Sequence, residues 1–171
     1  MGIAADLGYG YGNRSGFQRA VASFFGSRLG AWLGKLLVPL FDKVFLKLTR
    51  GRSSASEWLA GLPAIWLTTT GAKTGSLRRH PLYGFSVEDD LAIIGSNFGQ
   101  GRHPAWVHNL LSHPEATVEY QGRVLAVRAR RATEGEAAEA WRYAASVYPG
   151  YGKYRKRAAQ RDIQVFILEA R

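Results

Sequence analysis

The chain has 171 residues, of which 46% are apolar and 21% are charged, and its formal net charge is +10 at pH 7. This length suits one domain with a real core. The absence of cysteine excludes disulfides, thiolate zinc sites and cysteine nucleophiles. The positive charge is spread along the chain, with a net +5 on each side of Gly61. An even excess of this kind indicates an anionic partner: nucleic acid, an acidic membrane surface or a highly anionic small ligand.

Residues 1–50 are predicted to form a separate N-terminal part. Residues 1–16 are rich in Gly, Tyr and Ser without hydrophobic periodicity, so we expect a mobile lead-in there. Residues 17–49 have the pattern of basic amphipathic helices, which can lie in an anionic membrane interface or pack against the domain or a dimer partner. There is no signal-peptide pattern, and the longest apolar run, residues 29–41, is too short to span a bilayer. We expect a cytoplasmic protein, with membrane association left open.

Residues 51–171 are predicted to form a β-rich domain around one organising stretch, residues 62–83. Residues 65–70 (IWLTTT) suit a packed strand, and Gly71 and Gly75 bracket a turn that carries Lys73. Arg78 and Arg79 open the next strand, which is predicted over residues 77–87. Such a turn can bind phosphate or carboxylate oxygens, or it can be a solvated basic hairpin.

The remaining elements follow from turn and capping signals. Thr133 and Glu136 form a capping-box pattern at the start of an Ala-rich helix that ends near Val147. The other predicted elements are strands over residues 91–95, 117–120, 123–132 and 163–168, a loop over residues 96–102, and helices over residues 104–112 and 151–161. About six mostly antiparallel strands with flanking helices indicate an α+β fold, a small closed or half-closed β-barrel with helices packed outside.

One group of candidate site residues combines cations, a hydroxyl-bearing loop and a helix N-terminus. This combination suits a phosphate and a flat ring, and it comprises Lys73, Arg78, Arg79, Ser96, Asn97, Ala105, Trp106 and Asn109. The alternative for Trp106 is a core side chain.

A second group of candidates is Tyr148, Tyr151 and Tyr154, spaced three apart around a Pro-Gly break. Phenols supply flat apolar area with one hydrogen-bonding tip, which suits aromatic or quinoid substrates and allows proton donation. The alternative is an interface or core cluster.

Other chemistries have little support. The four histidines do not form a metal-ligand motif, so no metal site is predicted. There is no nucleophile elbow G-x-S-x-G, no Walker A lysine and no G-x-G-x-x-G at a strand–helix junction.

Read together, LTTTGAKTG, HPLY, the GSN loop, HPAWVHNL and VYPGYGKY resemble the deazaflavin-dependent nitroreductase family, whose members use the reduced coenzyme F420. The resemblance runs over residues 45–168. It implies a split β-barrel, with F420 in a groove and its phosphate and polyglutamate tail toward basic residues. It also implies hydride transfer to a quinone, a nitro compound or an activated alkene, which is the small-molecule electron acceptor.

The resemblance also implies roles for individual residues. Positions that match the family's cofactor contacts are Lys73, Thr74, Arg78, Pro81, Leu82, Tyr83, Ser96, Asn97, Trp106, His108, Asn109 and Tyr151. Positions that match the substrate side are Tyr83, Ser96, Tyr148 and Tyr154. Tyr148, Ser96 and Tyr83 are the candidate proton donors, and the substrate pocket is expected to include Tyr148, Tyr151 and Tyr154.

Two positions depart from the family pattern. Ala72 stands where the family often has arginine, and Asn97 stands where a lysine frequently follows the loop serine. Both changes weaken the grip on the polyglutamate tail, and Arg79 and Arg102 are the hypothesised compensation.

Alternatives to an F420 enzyme are the same barrel binding flavin mononucleotide and a non-catalytic basic module. The aromatic residues do not interleave with a basic strand face as they do in nucleic-acid stacking platforms, so no nucleic-acid partner is expected. Small barrels of this kind commonly pair, so a homodimer is a further expectation.

Overall fold

The computed structural model describes residues 2–12, 15–25 and 61–171. Its helices are α1 (Ile3–Leu7), α2 (Gly16–Phe25), α3 (Ala105–Ser112), α4 (Glu134–Val147) and α5 (Gly150–Arg157), with a 3₁₀ turn at Asn97–Gly99. Its strands are β1 (Ile65–Thr70), β2 (Leu77–Leu82), β3 (Gly84–Val87), β4 (Asp90–Ile94), β5 (Glu115–Tyr120), β6 (Arg123–Arg131) and β7 (Val165–Ala170). None of the described helices is long and apolar enough to cross a membrane.

The seven strands form one antiparallel sheet in the order β2-β1-β5-β6-β7-β4-β3. Its two edge strands, β2 and β3, are consecutive in the chain and are separated only by Tyr83. Two residues of chain span at most about 7 Å, so the two edges must meet at this corner. The sheet therefore curls into a half-barrel, as the sequence predicts.

The sheet is buried on both faces at β4 and β7. Leu91, Ile93, Phe166 and Leu168 face one apolar cluster with α1 and α3, while the residues between them face a second cluster with α4 and α5. Two buried faces explain why these strands are continuous apolar runs in the sequence. By contrast β1 alternates, because only Ile65, Leu67 and Thr69 are buried.

The start of α4 confirms the predicted capping box. The Thr133 side chain accepts from the Glu136 N–H, and the Glu136 carboxylate accepts from the Thr133 N–H at 2.7 Å. Arg130 on β6 donates to Glu136 at 2.6 Å and to Glu169 on β7 at 2.6 Å. These contacts tie the helix start to two strands of the sheet.

The structure corrects the single strand expected over residues 77–87. Tyr83 interrupts it, because β2 pairs with β1 while β3 pairs with β4 at the other edge of the sheet. The sheet consequently has seven strands, one more than predicted. Gly84 fits this corner, since a Cβ there would lie 2.6 Å from Leu91 Cδ1.

Residues 2–12 differ from the expected mobile lead-in. Ile3 and Leu7 of α1 are 0% and 2% exposed and belong to the first apolar cluster, together with Tyr9. Two apolar residues four apart in a five-residue helix are too short a pattern for periodicity to be recognised. The predicted boundary at residue 50, and the amphipathic helices beyond Phe25, lie outside the described residues.

Candidate functional site

The turn between β1 and β2 carries the predicted basic residues at its tip. The Gly71 N–H donates to Ser76 O at 2.9 Å, and the Gly75 N–H donates to Gly71 O at 2.8 Å. Gly75 has φ of +67°, a left-handed conformation that favours glycine. Lys73 and Thr74 are exposed at the tip of this closed turn.

Asn109 holds the turn from behind. Its Oδ1 accepts from the Ala72 N–H at 3.0 Å, and its Nδ2 donates to Thr69 Oγ1 at 2.9 Å. The residue is only 6% exposed. The side chain predicted to contact a cofactor is thus occupied in joining α3 to β1 and to the turn.

Arg78 and Arg79 face opposite sides of the sheet. Arg78 is paired with the buried Thr69, whereas Arg79 is paired with Thr68 on the other face. The Arg79 guanidinium is engaged, since it lies 2.7 Å from a Glu119 carboxylate oxygen and 4.3 Å from the ring centre of Trp66. This engagement counts against Arg79 as compensation for a weaker tail site.

Lys73 and Arg78 differ from Arg79, because neither takes part in an ion pair with another described residue. We define these two residues with the glycine-flanked turn as the basic turn.

The face of β2 that carries Arg78 also carries His80 and Leu82. His80 Nε2 is buried and has no hydrogen-bond partner among the described residues. Burial, and then the charge of Arg78, lower the pKa of His80. Pro81 lies on the opposite face, so Pro81 and Leu82 do not line the same surface.

The loop after β4 contains the predicted Ser96 and Asn97. Ser96 is 7% exposed, and Asn97 Nδ2 donates to Arg102 O at 2.9 Å within the loop. Asn97, Phe98 and Gly99 all have positive φ, at 46°, 55° and 75°. Non-glycine residues rarely adopt this conformation, which marks the loop as locally strained.

Helix α3 begins beside this loop. Ala105 and His108 are exposed, and the His108 ring lies 5.9 Å from that of His103. Trp106 is only 4% exposed and packs edge-on against Phe166 at 6.0 Å. Trp106 is therefore a core side chain in this structure, which was the alternative reading of that residue.

The predicted tyrosines come together. Tyr148, Tyr151 and Tyr154 have ring centres 5.6–6.1 Å apart and are each 6–8% exposed. The Tyr154 hydroxyl lies 3.5 Å from that of Tyr148. Tyr83 is partly buried and packs against the apolar cluster that contains these three rings. We refer to Tyr83, Tyr148, Tyr151 and Tyr154 as the phenol wall.

Burial controls the ionisation of the phenol wall. Loss of hydration is the largest cause that raises the pKa of Tyr148, Tyr151 and Tyr154 above the ordinary phenol value. Phenols are protonated at neutral pH, and burial keeps these three protonated to higher pH than usual, so their hydroxyls can donate hydrogen bonds.

A family model described as F420H(2)-dependent quinone reductase matches residues 44–170. The chain belongs to this family. A putative F420H(2)-dependent quinone reductase of Mycobacterium bovis and an F420H(2)-dependent quinone reductase of Mycobacterium tuberculosis are each 31% identical over 107 residues, covering 60% of this chain and 70% of each relative. Membership makes the chain an oxidoreductase that uses coenzyme F420 as its hydride donor, and it does not favour flavin mononucleotide.

Solved structures support the family's fold. A structure described as an F420-H2 dependent reductase, FDR-A, is 34% identical to this chain, with a TM-score of 0.57. The match covers 63% of this chain and 94% of the FDR-A chain. Another, described as a domain-swapped dimer, is 29% identical with a TM-score of 0.59, covering 74% of this chain and 95% of its own. The predicted split β-barrel is thus confirmed.

The donor set fits the family's coenzyme. Lys73 and Arg78 are exposed cations without an acidic partner among the described residues, which suits an acidic tail. The buried, unsatisfied His80 Nε2 lies on the same face of β2 as Arg78. A bound group or an ordered water can supply the hydrogen-bond partner that this nitrogen lacks among the described residues.

Two functional candidates were missed by the sequence analysis of the N-terminus. The Tyr9 hydroxyl donates to Pro63 O at 2.9 Å and accepts from the Gly84 N–H at 3.1 Å, and Tyr11 donates to Gly84 O at 2.8 Å. Tyr11 also lies flat against Phe85, whose ring is 5.1 Å from Tyr151. Tyr11 thus packs against the cluster that holds the phenol wall, whereas Tyr9 belongs to the first apolar cluster. The alternation Gly-Tyr-Gly-Tyr-Gly over residues 8–12 is the signal that could have identified them.

A cavity of about 760 Å³ lies apart from the predicted residues. It is bounded by the start of α4, the end of α5 and the chain leading into β7, and its lining includes Arg131, Trp141 and Arg155. No predicted cofactor or substrate residue lines it.

Proposed function

We propose that this protein reduces a quinone, with the acidic tail of F420H2 at the basic turn and the quinone against the phenol wall. The observation that carries the proposal is that β2 connects the two regions. Arg78 lies near the start of β2, and Tyr83 directly follows its end. The five residues from Arg78 to Tyr83 span about 17 Å along an extended strand. An elongated cofactor with a ring at one end and carboxylates at the other matches this arrangement.

The basic turn acts on the acidic tail. Lys73 and Arg78 neutralise phosphate and carboxylate oxygens, and Asn109 keeps the turn in its closed shape before the cofactor arrives. Arg79 contributes little, because Glu119 and Trp66 already occupy it. The tail is thus held chiefly by two cations.

The phenol wall orients the acceptor. Its rings supply flat apolar area for a quinone, and a protonated hydroxyl of Tyr148 or Tyr83 donates to a quinone carbonyl oxygen. That hydrogen bond strengthens as negative charge develops on the oxygen during reduction. The bound coenzyme supplies the hydride.

The product quinol requires one proton in addition to the hydride. The Tyr154 and Tyr148 hydroxyls, 3.5 Å apart, form a path along which a proton can pass toward the acceptor. Because burial raises both pKa values, the proton is returned to these phenols from solvent, and neither stays ionised.

The test is oxidation of F420H2 by the purified full chain under anaerobic conditions, against a panel of quinones, nitroaromatics and enones. We expect turnover with quinones to be the fastest. F420 and flavin mononucleotide are titrated separately, and we expect binding at micromolar concentration of F420 only. Absence of F420 binding, or turnover confined to nitro compounds or enones, would contradict the proposal.

We also propose that α2 contacts anionic membranes. Phe17 and Phe24, seven residues apart on this helix, are 64% and 47% exposed, and they lie on the same helix face as Val21, which packs against the second apolar cluster beside Tyr11. An exposed aromatic face next to the phenol wall suits capture of a lipid-soluble quinone at a bilayer surface.

Flotation with anionic vesicles tests this proposal. The double variant Phe17→Ser/Phe24→Ser should lose vesicle binding, while Leu111→Ser, a change at an exposed apolar residue of α3, should retain it. Equal flotation of both variants and the wild type would rule out the contact through α2.

Pairing of two copies is a further proposal, supported by the related structure that is described as a domain-swapped dimer. Light scattering during gel filtration measures the mass directly. A monomer mass at all protein concentrations that can be reached would refute it.

A further inference from the structure

The strained loop after β4 is held by a residue that is distant in the sequence. Asn97 and Phe98 have left-handed backbone conformations, which are rare for residues other than glycine and strained for a bulky residue such as Phe98. Such strain persists only where surrounding contacts determine the conformation. The loop must therefore be fastened from outside.

Arg161 supplies this fastening. Its Nη2 donates to Gly95 O at 3.0 Å and to Ser96 O at 2.8 Å, and its Nε donates to Gln100 O at 2.9 Å. Its Nη1 lies 3.1 Å from His103 Nδ1. One guanidinium thus contacts the start of the loop, Gln100 within it and His103, two residues before α3.

The chemistry of this contact requires arginine. The acceptors are three backbone carbonyl oxygens, and a planar guanidinium has five donors in a fixed fork that can reach them together. A lysine ammonium has three donors at a single point and cannot span the loop. The Arg161 guanidinium has no acidic partner among the described ion pairs, so positioning the loop is the role its contacts indicate.

Arg161 also connects the loop to the phenol wall. Its backbone N–H donates to Ala158 O at 3.0 Å, at the end of α5, the helix that carries Tyr151 and Tyr154. The loop packs directly on that helix, since a Cβ on Gly99 would lie 3.1 Å from Tyr154 Cα.

We propose that Arg161 is a positioning residue, which sets the loop of Ser96 and Asn97 at a fixed distance from the phenol wall and thereby aligns cofactor and acceptor. The proposal rests on the proposed function, which places the quinone against the phenol wall, and on the expectation that the loop of Ser96 and Asn97 contacts the cofactor. A displacement of about 1 Å between reacting groups can lower a rate by about 100-fold.

The experiment compares Arg161→Lys and Arg161→Gln with Arg142→Lys, a matched change at an exposed arginine of α4. The first measurement is amide hydrogen exchange of each protein in the absence of cofactor. The amides of Gly99 and Gln100 donate to Ser96 O and Asn97 O inside the loop, so their exchange reports on its closure. Both Arg161 variants should exchange at least about tenfold faster there, with β1, β5 and β6 unchanged.

The second measurement is the rate of quinone reduction. Each rate is divided by the amount of bound F420, so that unfolded protein does not lower the result. Both Arg161 variants should show kcat for quinone reduction reduced about tenfold or more, with Kd for F420 changed less than about threefold, because the basic turn still holds the tail. Arg142→Lys should match the wild type in both measurements.

Two results would overturn the proposal: unchanged exchange at Gly99 and Gln100 in the Arg161 variants, or unchanged kcat despite faster exchange. Failure of the proposed function is a separate result. It would appear as absence of F420 binding by the wild type, while the exchange measurement would still decide whether Arg161 orders the loop.

Discussion

Lys73 and Arg78 stand in solvent, whereas Tyr148, Tyr151 and Tyr154 are each less than a tenth exposed, although β2 joins the two regions. The cations keep their hydration and have no acidic partner among the described residues, so they attract an acidic tail at long range and act weakly on its geometry. The phenols are packed against one another, with their hydroxyls protonated. The basic turn is suited to capture by charge, and the phenol wall to alignment by shape.

Gly150→Ala is expected to have the largest effect, because it disturbs the packed region. A Cβ at Gly150 would lie 2.2 Å from Tyr148 Cε1 and 2.6 Å from Cζ, so the ring must move. We expect kcat/KM for quinone to fall about 100-fold, measured by F420H2 oxidation, with Kd for F420 little changed.

Gly152→Ala is the matched control on the same helix. A Cβ there meets no atom within 4 Å, so activity should stay within about twofold of the wild type. Replacing a helical glycine by alanine should also stabilise the protein by about 0.5–1 kcal/mol. Equal activity in the two variants would contradict a rigid phenol wall.

Asn109→Ala is expected to loosen the basic turn from behind. It leaves the buried Thr69 hydroxyl and the Ala72 N–H without their present partner, which should cost about 2 kcal/mol of unfolding free energy in urea titrations. If Asn109 acts by shaping the turn, Kd for F420 should rise as well. Ser112→Ala, an exposed change on the same helix, is the control and should alter neither quantity.

Lys73→Ala and Arg78→Ala should each weaken F420 binding about tenfold, which corresponds to about 1.4 kcal/mol, with kcat at saturating cofactor unchanged. Added salt should raise Kd for F420 in the wild type, and less so in either variant, because exposed charges are screened. Fluorescence titration of F420 at two ionic strengths measures both effects.

Arg79→Ala distinguishes the two faces of β2. Since Glu119 and Trp66 already engage Arg79, its removal should change Kd for F420 less than about threefold. If Arg79→Ala weakens F420 binding as much as Arg78→Ala does, then Arg79 does compensate for the missing arginine at Ala72 and the missing lysine at Asn97.

The two regions also differ in how far the sequence predicts them. Local patterns determine β1 and the capping box at Thr133, and both predictions are confirmed. The three-residue spacing of Tyr148, Tyr151 and Tyr154 also brings their rings together, while their place on a pocket wall stays a prediction. The opposite orientation of Arg78 and Arg79 also follows from strand alternation, but only once the strand and its buried face are known.

Features that depend on distant partners were not predicted. The interruption at Tyr83 arises because β2 and β3 pair with different strands at opposite edges of the sheet. The packing of Tyr9 on Gly84 joins residues 75 positions apart, and the Arg161 contact with Ser96 joins residues 65 apart. Such contacts leave no periodic signal in a single sequence.

A further expected effect concerns the pH dependence of stability. Burial raises the pKa of Tyr151 well above its ordinary value of 10.0, so folded Tyr151 keeps its proton at a pH where the unfolded phenol releases it. The unfolded state then binds fewer protons, and stability falls as pH rises past 10. Between pH 8 and pH 10.5 one such phenol accounts for a loss of about 1 kcal/mol. Tyr151→Phe removes this contribution, so its unfolding free energy in urea should fall by about 1 kcal/mol less than that of the wild type over the same interval. If both proteins lose the same amount, Tyr151 ionises in the folded state, and the phenol wall is hydrated in the same way as the basic turn.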